Sequence, residues 1–118
     1  MDIQKIISEE LAVKEKHVAA AVELLDAGNT VPFIARYRKE ATGGLDDEAL
    51  RRLSERLTYL RNLEKRKEEV RTLIAAQGQL TDEIDAAIDA AQTVTETDDI
   101  YRPFRPKIHA VSVLAGKL

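Results

Sequence analysis

A chain of 118 residues with a formal net charge of -3, 44% apolar residues, only 4% aromatic and no cysteine makes about one domain whose core must come from aliphatic side chains. The missing cysteines exclude disulfides and thiolate metal sites and fit a reducing compartment. No apolar run approaches the roughly 20 residues of a spanning helix, and Asp2 follows Met1 where a leader would place basic and apolar residues. The expectation is a cytoplasmic protein without membrane contact.

Apolar spacing predicts helices along most of the chain. Ile3, Ile6, Ile7 and Leu11 share a stripe behind Asp2 as cap. Val18, Ala21, Val22 and Leu25 form a second stripe that stops at Gly28-Asn29, residues tolerant of positive φ. In "TVPFIARYRKEATGG", Thr30 caps a third, short helix with Pro32 in its first turn, where its missing N–H costs nothing, and Gly43-Gly44 end it. At about 100° per residue Phe33, Ile34, Tyr37 and Ala41 fall on one side of that helix, so both rings are expected in the core and not on a stacking platform. Arg36 and Lys39 then point away, with Arg38 at the border.

Asp46 is a plausible cap for the next segment, which holds neither Pro nor Gly before Gly78. One unbroken helix from Asp46 to Gln77 would be on the order of 50 Å long. Its stripe of Leu50, Leu53, Leu57, Leu60 and Leu63, then Val70, Leu73 and Ile74, is interrupted around Lys67. That break disfavours a free-standing coiled coil and favours a long helix crossing its own bundle. Glu48 with Arg52, Asp47 with Arg51 and Lys65 with Glu69 stand four apart and are expected to pair along its exposed side. Thr81 opens a further helix with Ile84, Ala87, Ile88 and Ala91 inward. Pro103 and Pro106 restrict Arg102 and Arg105, so helix should finish near Tyr101. Residues 108–118 are ambiguous, with helical spacing but a short, β-branched run.

The net charge hides local contrasts. Residues 78–101 hold seven acids and no base, whereas 102–118 hold four bases and no acid. Two basic clusters are therefore candidates for phosphate contact: Arg36, Arg38 and Lys39 on the third helix, and Arg102, Arg105 and Lys107 in a proline-stiffened stretch interleaved with Tyr101 and Phe104. The bland alternatives are a solvated helix face with Arg36 beside Glu40, and pairing of the second cluster with the acids upstream.

Catalytic signals are thin. Neither His17 nor His109 has an evident partner at helical spacing, so no catalytic residue is assigned. Asp82, Asp85 and Asp89 share a helix side, but carboxylates alone at that spacing are common on wet faces, and no metal site or cofactor is expected. Gly43-Gly44 lacks the residues of a phosphate loop and reads as a helix junction.

The stretch from "LLDAGNTVPFIARYRKEATGG" through "LEKRKEEV", followed by "QGQLTDEI" and "DDIYRPFRPK", resembles the N-terminal region of the bacterial Tex-like family of transcription accessory proteins. The likeness runs over about Ile3 to Lys107, and the block from Thr30 to Gly44 is long and specific. The resemblance implies an all-helical region that precedes a ribonuclease-H-like domain, helix-hairpin-helix motifs and an S1 domain, in proteins that bind nucleic acid chiefly through the S1 part. None of those modules fits in 118 residues, so a fragment or truncated product is expected, and after Lys107 the sequence departs from the family pattern.

The combined expectation is an all-α bundle of five main helices around one long rod. Residues 1–107 form the Tex-like domain and 108–118 a divergent tail. It would serve as a non-enzymatic scaffold of a transcription accessory factor, with weak, sequence-nonspecific phosphate contacts through Arg36, Arg38, Lys39, Arg102, Arg105 and Lys107. Nucleic acid, met mainly by the full-length protein, and the transcription machinery are the expected partners. The alternative is a protein-interaction module without nucleic-acid binding, in which the Leu50 to Ile74 stripe seeks a partner helix or self-associates.

Overall fold

Four of the five expected helix starts are marked by a short side chain bonded to a free backbone N–H, and the computed structural model of the protein, which describes residues 2–105, shows these caps in place. Asp2 accepts from the Lys5 N–H at 3.1 Å, Thr30 from Phe33 at 3.3 Å, Asp46 from Ala49 at 2.8 Å and Thr81 from Ile84 at 3.2 Å. They open α1 (Ile3–Leu11), α3 (Val31–Tyr37), α5 (Asp47–Ala76) and α6 (Asp82–Ala90). Between these lie α2 (Glu15–Asp26) and α4 (Lys39–Thr42), and α7 (Val94–Tyr101) leads into a 3-10 turn over Arg102–Phe104. The class is all-α, with no strand among the described residues. Lys107, His109 and the tail from 108 lie outside them.

Two differences from the expected five helices have local causes. The third helix divides at Arg38, whose backbone leaves helical geometry (φ -129°, ψ 34°). Its N–H closes α3 on the Ile34 carbonyl at 3.0 Å, and its own carbonyl accepts from Ala41 and Thr42, both at 3.2 Å, to start α4. The additional helix, α7, begins at Thr93, which accepts from the Glu96 N–H at 3.0 Å while Glu96 accepts from the Gln92 N–H at 2.9 Å. Thr93 and Glu96 thus have capping-box spacing, a signal that apolar periodicity does not carry.

The chain divides between Asn62 and Leu63 into two compact units, so α5 contributes to both. In the first, α2 packs on α1, α3 and α4. Ile7, Val18, Ala21, Val22, Ile34, Leu50, Leu53, Leu57 and Leu60 are its buried apolar residues. Two forked contacts tie α5 to its neighbours: Arg56 donates to both Glu10 oxygens at 2.7 and 2.8 Å, and Arg61 to both Asp26 oxygens at 2.8 Å. The hydrogen-bonded Arg61 guanidinium holds the Asp26 carboxyl below its ordinary value. The turn from α4 to α5 uses Gly43 at φ +72°, where a Cβ would run into the His17 imidazole. That close approach makes His17 a packing residue of the junction.

In the second unit Val70, Ile74, Ile88 and Tyr101 form a core cluster, with Leu80, Ile84, Ile100 and Phe104 packed against it. The apparent gap in the α5 stripe is filled by the side chain that caused it. Lys67 is only 2% exposed, and its ammonium donates to the Asp89 carbonyl at 2.8 Å. Its stem follows the apolar face, and its charge meets a carbonyl at the C-terminal end of α6, where the helix dipole favours a cation. Desolvation lowers the Lys67 pKa from its ordinary 10.5, partly offset by Asp89.

Arg66 donates to Asp98 at 2.6 Å and lies 5.7 Å from the Tyr101 ring centroid. Arg71 reaches Asp85, Asp89 and Glu68, each at 2.6 Å. None of the three pairs expected four residues apart forms an ion pair; among the described residues α5 arginines reach other helices or partners three residues away. A forked guanidinium finds better geometry on a carboxylate facing it from another helix than on one beside it.

Two stability measurements follow by chemical denaturation. Gly43→Ala should cost about 2 kcal/mol, from positive φ and the His17 collision together, whereas Gly44→Ala, with open space around it, should cost about 1 kcal/mol from φ alone. Lys67→Ala should lose about 2 kcal/mol, and Lys67→Met should recover the part due to stem packing. Between the lowered folded pKa and 10.5 the unfolded chain holds a proton that the folded chain has released, so stability of the parent relative to Lys67→Met should rise with pH across that window.

Candidate nucleic-acid interface

Thr30 and Ile34 set the register of α3. The Thr30 cap fixes its first turn, and the Ile34 side chain is fully buried. On a helix, Val31 and Ala35 flank Ile34, and both are half-buried. Pro32, Phe33, Arg36 and Tyr37 are all exposed. Phe33 is 37% and Tyr37 55% exposed, which overturns the expectation that these rings lock α3 into the core. The inward face is centred on Ile34, about 100° from Phe33. Because the helix breaks at Arg38, Ala41 does not continue the Phe33–Tyr37 stripe as an unbroken helix would require.

The two rings meet each other instead of the core, with centroids 5.1 Å apart and planes tilted by 50°. Arg38 folds over the Phe33 ring: its guanidinium lies 5.6 Å from that centroid and donates to the Tyr37 carbonyl at 3.3 Å. Arg36 and Lys39 line an open groove of about 470 Å³ together with Pro32, Ala35, Gly44, Leu45, Asp46 and Asp47. Arg36, Arg38 and Lys39 are exposed, and among the described residues none forms an ion pair with a carboxylate, Glu40 included.

The second cluster has the opposite character. Tyr101 is buried and Phe104 half-buried in the core of the second unit, so the rings interleaved with these cations are packing residues. Arg102 pairs with Asp99 at 2.9 Å one turn back, as the alternative of neutralisation by upstream acids anticipates. Arg105 is exposed. Lys107 lies outside the described residues. Asp85 and Asp89, which with Asp82 looked like a cation-attracting face, are held by Arg71. Among the described residues no group of three or more His, Cys, Asp or Glu could hold a metal ion, and no helix is long and apolar enough to cross a membrane.

Residues 1–75 match the family described as Tex-like protein N-terminal domain, a span that contains α1 to α4, the exposed α3 face and nearly all of α5. The chain belongs to this family. The transcriptional accessory protein Tex of Neisseria gonorrhoeae is 56% identical over 107 residues, covering 91% of this chain and 14% of that protein. Protein YhgF of Escherichia coli K12 is 54% identical over 103 residues, 87% of this chain and 13% of its own length. The human S1 RNA-binding domain-containing protein 1 is 28% identical over 104 residues, 88% of this chain and 10% of that protein. The chain thus spans a small part of the length of these Tex-like relatives. The names of the first and the third describe a transcription accessory and an RNA-binding protein, not enzymes.

The placement of α3 has a direct test. Because its aromatic side faces solvent, Phe33→Leu with Tyr37→Leu should change unfolding free energy by less than about 1 kcal/mol, whereas Ile34→Ala should cost about 2–4 kcal/mol. Denaturant titration of the two variants distinguishes this arrangement from one with buried rings.

Proposed function

We propose that this chain is the N-terminal helical scaffold of a Tex-like transcription accessory factor and touches nucleic acid weakly through phosphates, without reading sequence. The observation that carries this reading is the α3–α4 corner. There Arg36, Arg38 and Lys39 stand exposed with no carboxylate ion-paired to them among the described residues. Cations without a carboxylate partner are available to a phosphate, Arg38 while it also holds the Phe33 ring and the Tyr37 carbonyl, and each such contact releases counterions. No described helix presents a row of base-reading side chains, so the contacts position the strand and do not specify it. The names of the relatives, transcription accessory and RNA-binding proteins, point to the same ligand class.

Arg102, Arg105 and Lys107 extend this role with less support. The Arg102 to Asp99 pair is exposed on both sides and weak enough to be exchanged for a phosphate. The domain runs to Lys107, with 108–118 outside it. The scaffold binds and does not catalyse, works in the cytoplasm, and meets nucleic acid and the transcription machinery mainly as part of a longer protein. Self-association through the long helix is the weaker reading, because Leu50, Leu53, Leu57, Leu60, Leu63, Val70 and Ile74 are already buried and only Leu73, 40% exposed, is left of that stripe for a partner.

Binding of a fluorescent oligonucleotide, followed by anisotropy across a salt series, tests the proposal. Log affinity should fall linearly with log salt, and replacing Arg36, Arg38 and Lys39 by Gln should flatten the slope by about 0.7–0.9 for each phosphate that is no longer neutralised. No binding at the lowest salt would remove the reading.

A further inference from the structure

The exposed side of α3 combines two features that a purely electrostatic surface does not need. Phe33 and Tyr37 form a tilted ring pair open to solvent, and their helix is fixed underneath by the Thr30 cap and the buried Ile34. Arg38 lies over one face of the Phe33 ring, leaving the Tyr37 ring as the more open surface, and Arg36, three residues after Phe33, stands about 60° around the helix. Protein surfaces hold single apolar side chains routinely, but two adjoining rings bracketed by cations without carboxylate partners suit a ligand with both π-faces and negative charge. Unpaired nucleotides have both. A duplex does not qualify, because its base faces are occupied by stacking and only its phosphates and groove edges are offered.

We propose that the Phe33–Tyr37 face is a stacking platform for unpaired bases, so that the ligand of this corner is single-stranded nucleic acid. This rests on the phosphate-contact reading above and adds to it the bases and the strandedness. The backbone of the strand runs along Arg36 and Lys39. Asp46 and Asp47 line the same groove, and their charge disfavours a phosphate placed beside them. One or two bases lie on the rings, with no hydrogen-bond readout of their identity.

Three oligomers of equal length and charge separate the contributions: a single-stranded oligothymidylate, a duplex, and an abasic strand with sugar and phosphate alone. The intact chain should bind the oligothymidylate roughly 5- to 100-fold more tightly than the abasic strand, and also above the duplex at matched salt. Phe33→Leu with Tyr37→Leu should bring the single strand down to the abasic level without changing the salt slope, while Tyr37→Phe should retain binding. A far-ultraviolet circular dichroism spectrum unchanged from the parent would exclude unfolding as the cause. If all three oligomers bind alike and the double variant is unaffected, the platform is overturned and phosphate contact alone stands. If none binds at low salt, both readings fall and the face belongs to a protein partner.

Discussion

A chain with five aromatic residues has to bury its surface with aliphatic side chains held in register, and α5 imposes that register. From Asp47 to Ala76 the helix runs thirty residues, and Leu50, Leu53, Leu57, Leu60, Leu63, Lys67, Val70 and Ile74 recur along it at steps of three and four, all buried. Such a stripe stays on one side only while the backbone hydrogen bonds are unbroken. A proline within it would turn the residues beyond it away from their present face. The absence of Pro and Gly from this stretch is therefore the constraint on which both units rest, and Lys67 shows how strong it is. A lysine at a core position is kept by stretching its stem along the stripe to a carbonyl, not by bending the helix.

Specificity comes from a different set of side chains. Arg56, Arg61, Arg66 and Arg71 stand five residues apart on α5, and each reaches a carboxylate on a different helix: Glu10 on α1, Asp26 on α2, Asp98 on α7, and Asp85 with Asp89 on α6. Most of these partners are partly open to water, where ion pairs contribute little to net stability. What the forked guanidinium supplies is geometry, since it accepts one orientation and one spacing of its partner. The leucines hold the helices together, and within each unit the arginines select where along α5 its neighbours dock.

Backbone punctuation was the most legible part of the sequence. Asp2, Thr30, Asp46 and Thr81 cap the helices they were expected to cap, Gly43 turns at positive φ, and the long helix is unbroken, because each of these depends on a few adjacent residues. What depends on tertiary choice was not legible. A seven-residue helix such as α3 makes two turns, and two overlapping apolar faces, Phe33 with Tyr37 or Val31 with Ile34 and Ala35, satisfy the same spacing. Hydrophobicity favours the rings, yet the structure buries the aliphatic face. Tyr101 and Phe104 were read only as aromatics interleaved with basic residues, and local spacing gave no sign that they complete a core. The Glu48–Arg52 type of pairing failed for a related reason: spacing along one helix is blind to a carboxylate arriving from another.

The difference in burial between the two aromatic pairs bears on function more than either basic cluster alone. Charge density is similar on the two stretches, so electrostatics does not rank them. Burial does. Rings spent on a core, as Tyr101 and Phe104 are, stabilise the fold and can offer a ligand nothing but neighbouring cations, one of which, Arg102, already has Asp99. Phe33 and Tyr37, 37% and 55% exposed, leave part of each ring in water, where it carries a hydration cost that an occupant would relieve. On the proposed reading, Arg36, Arg38 and Lys39 beside them would draw an anionic occupant to that exposed surface.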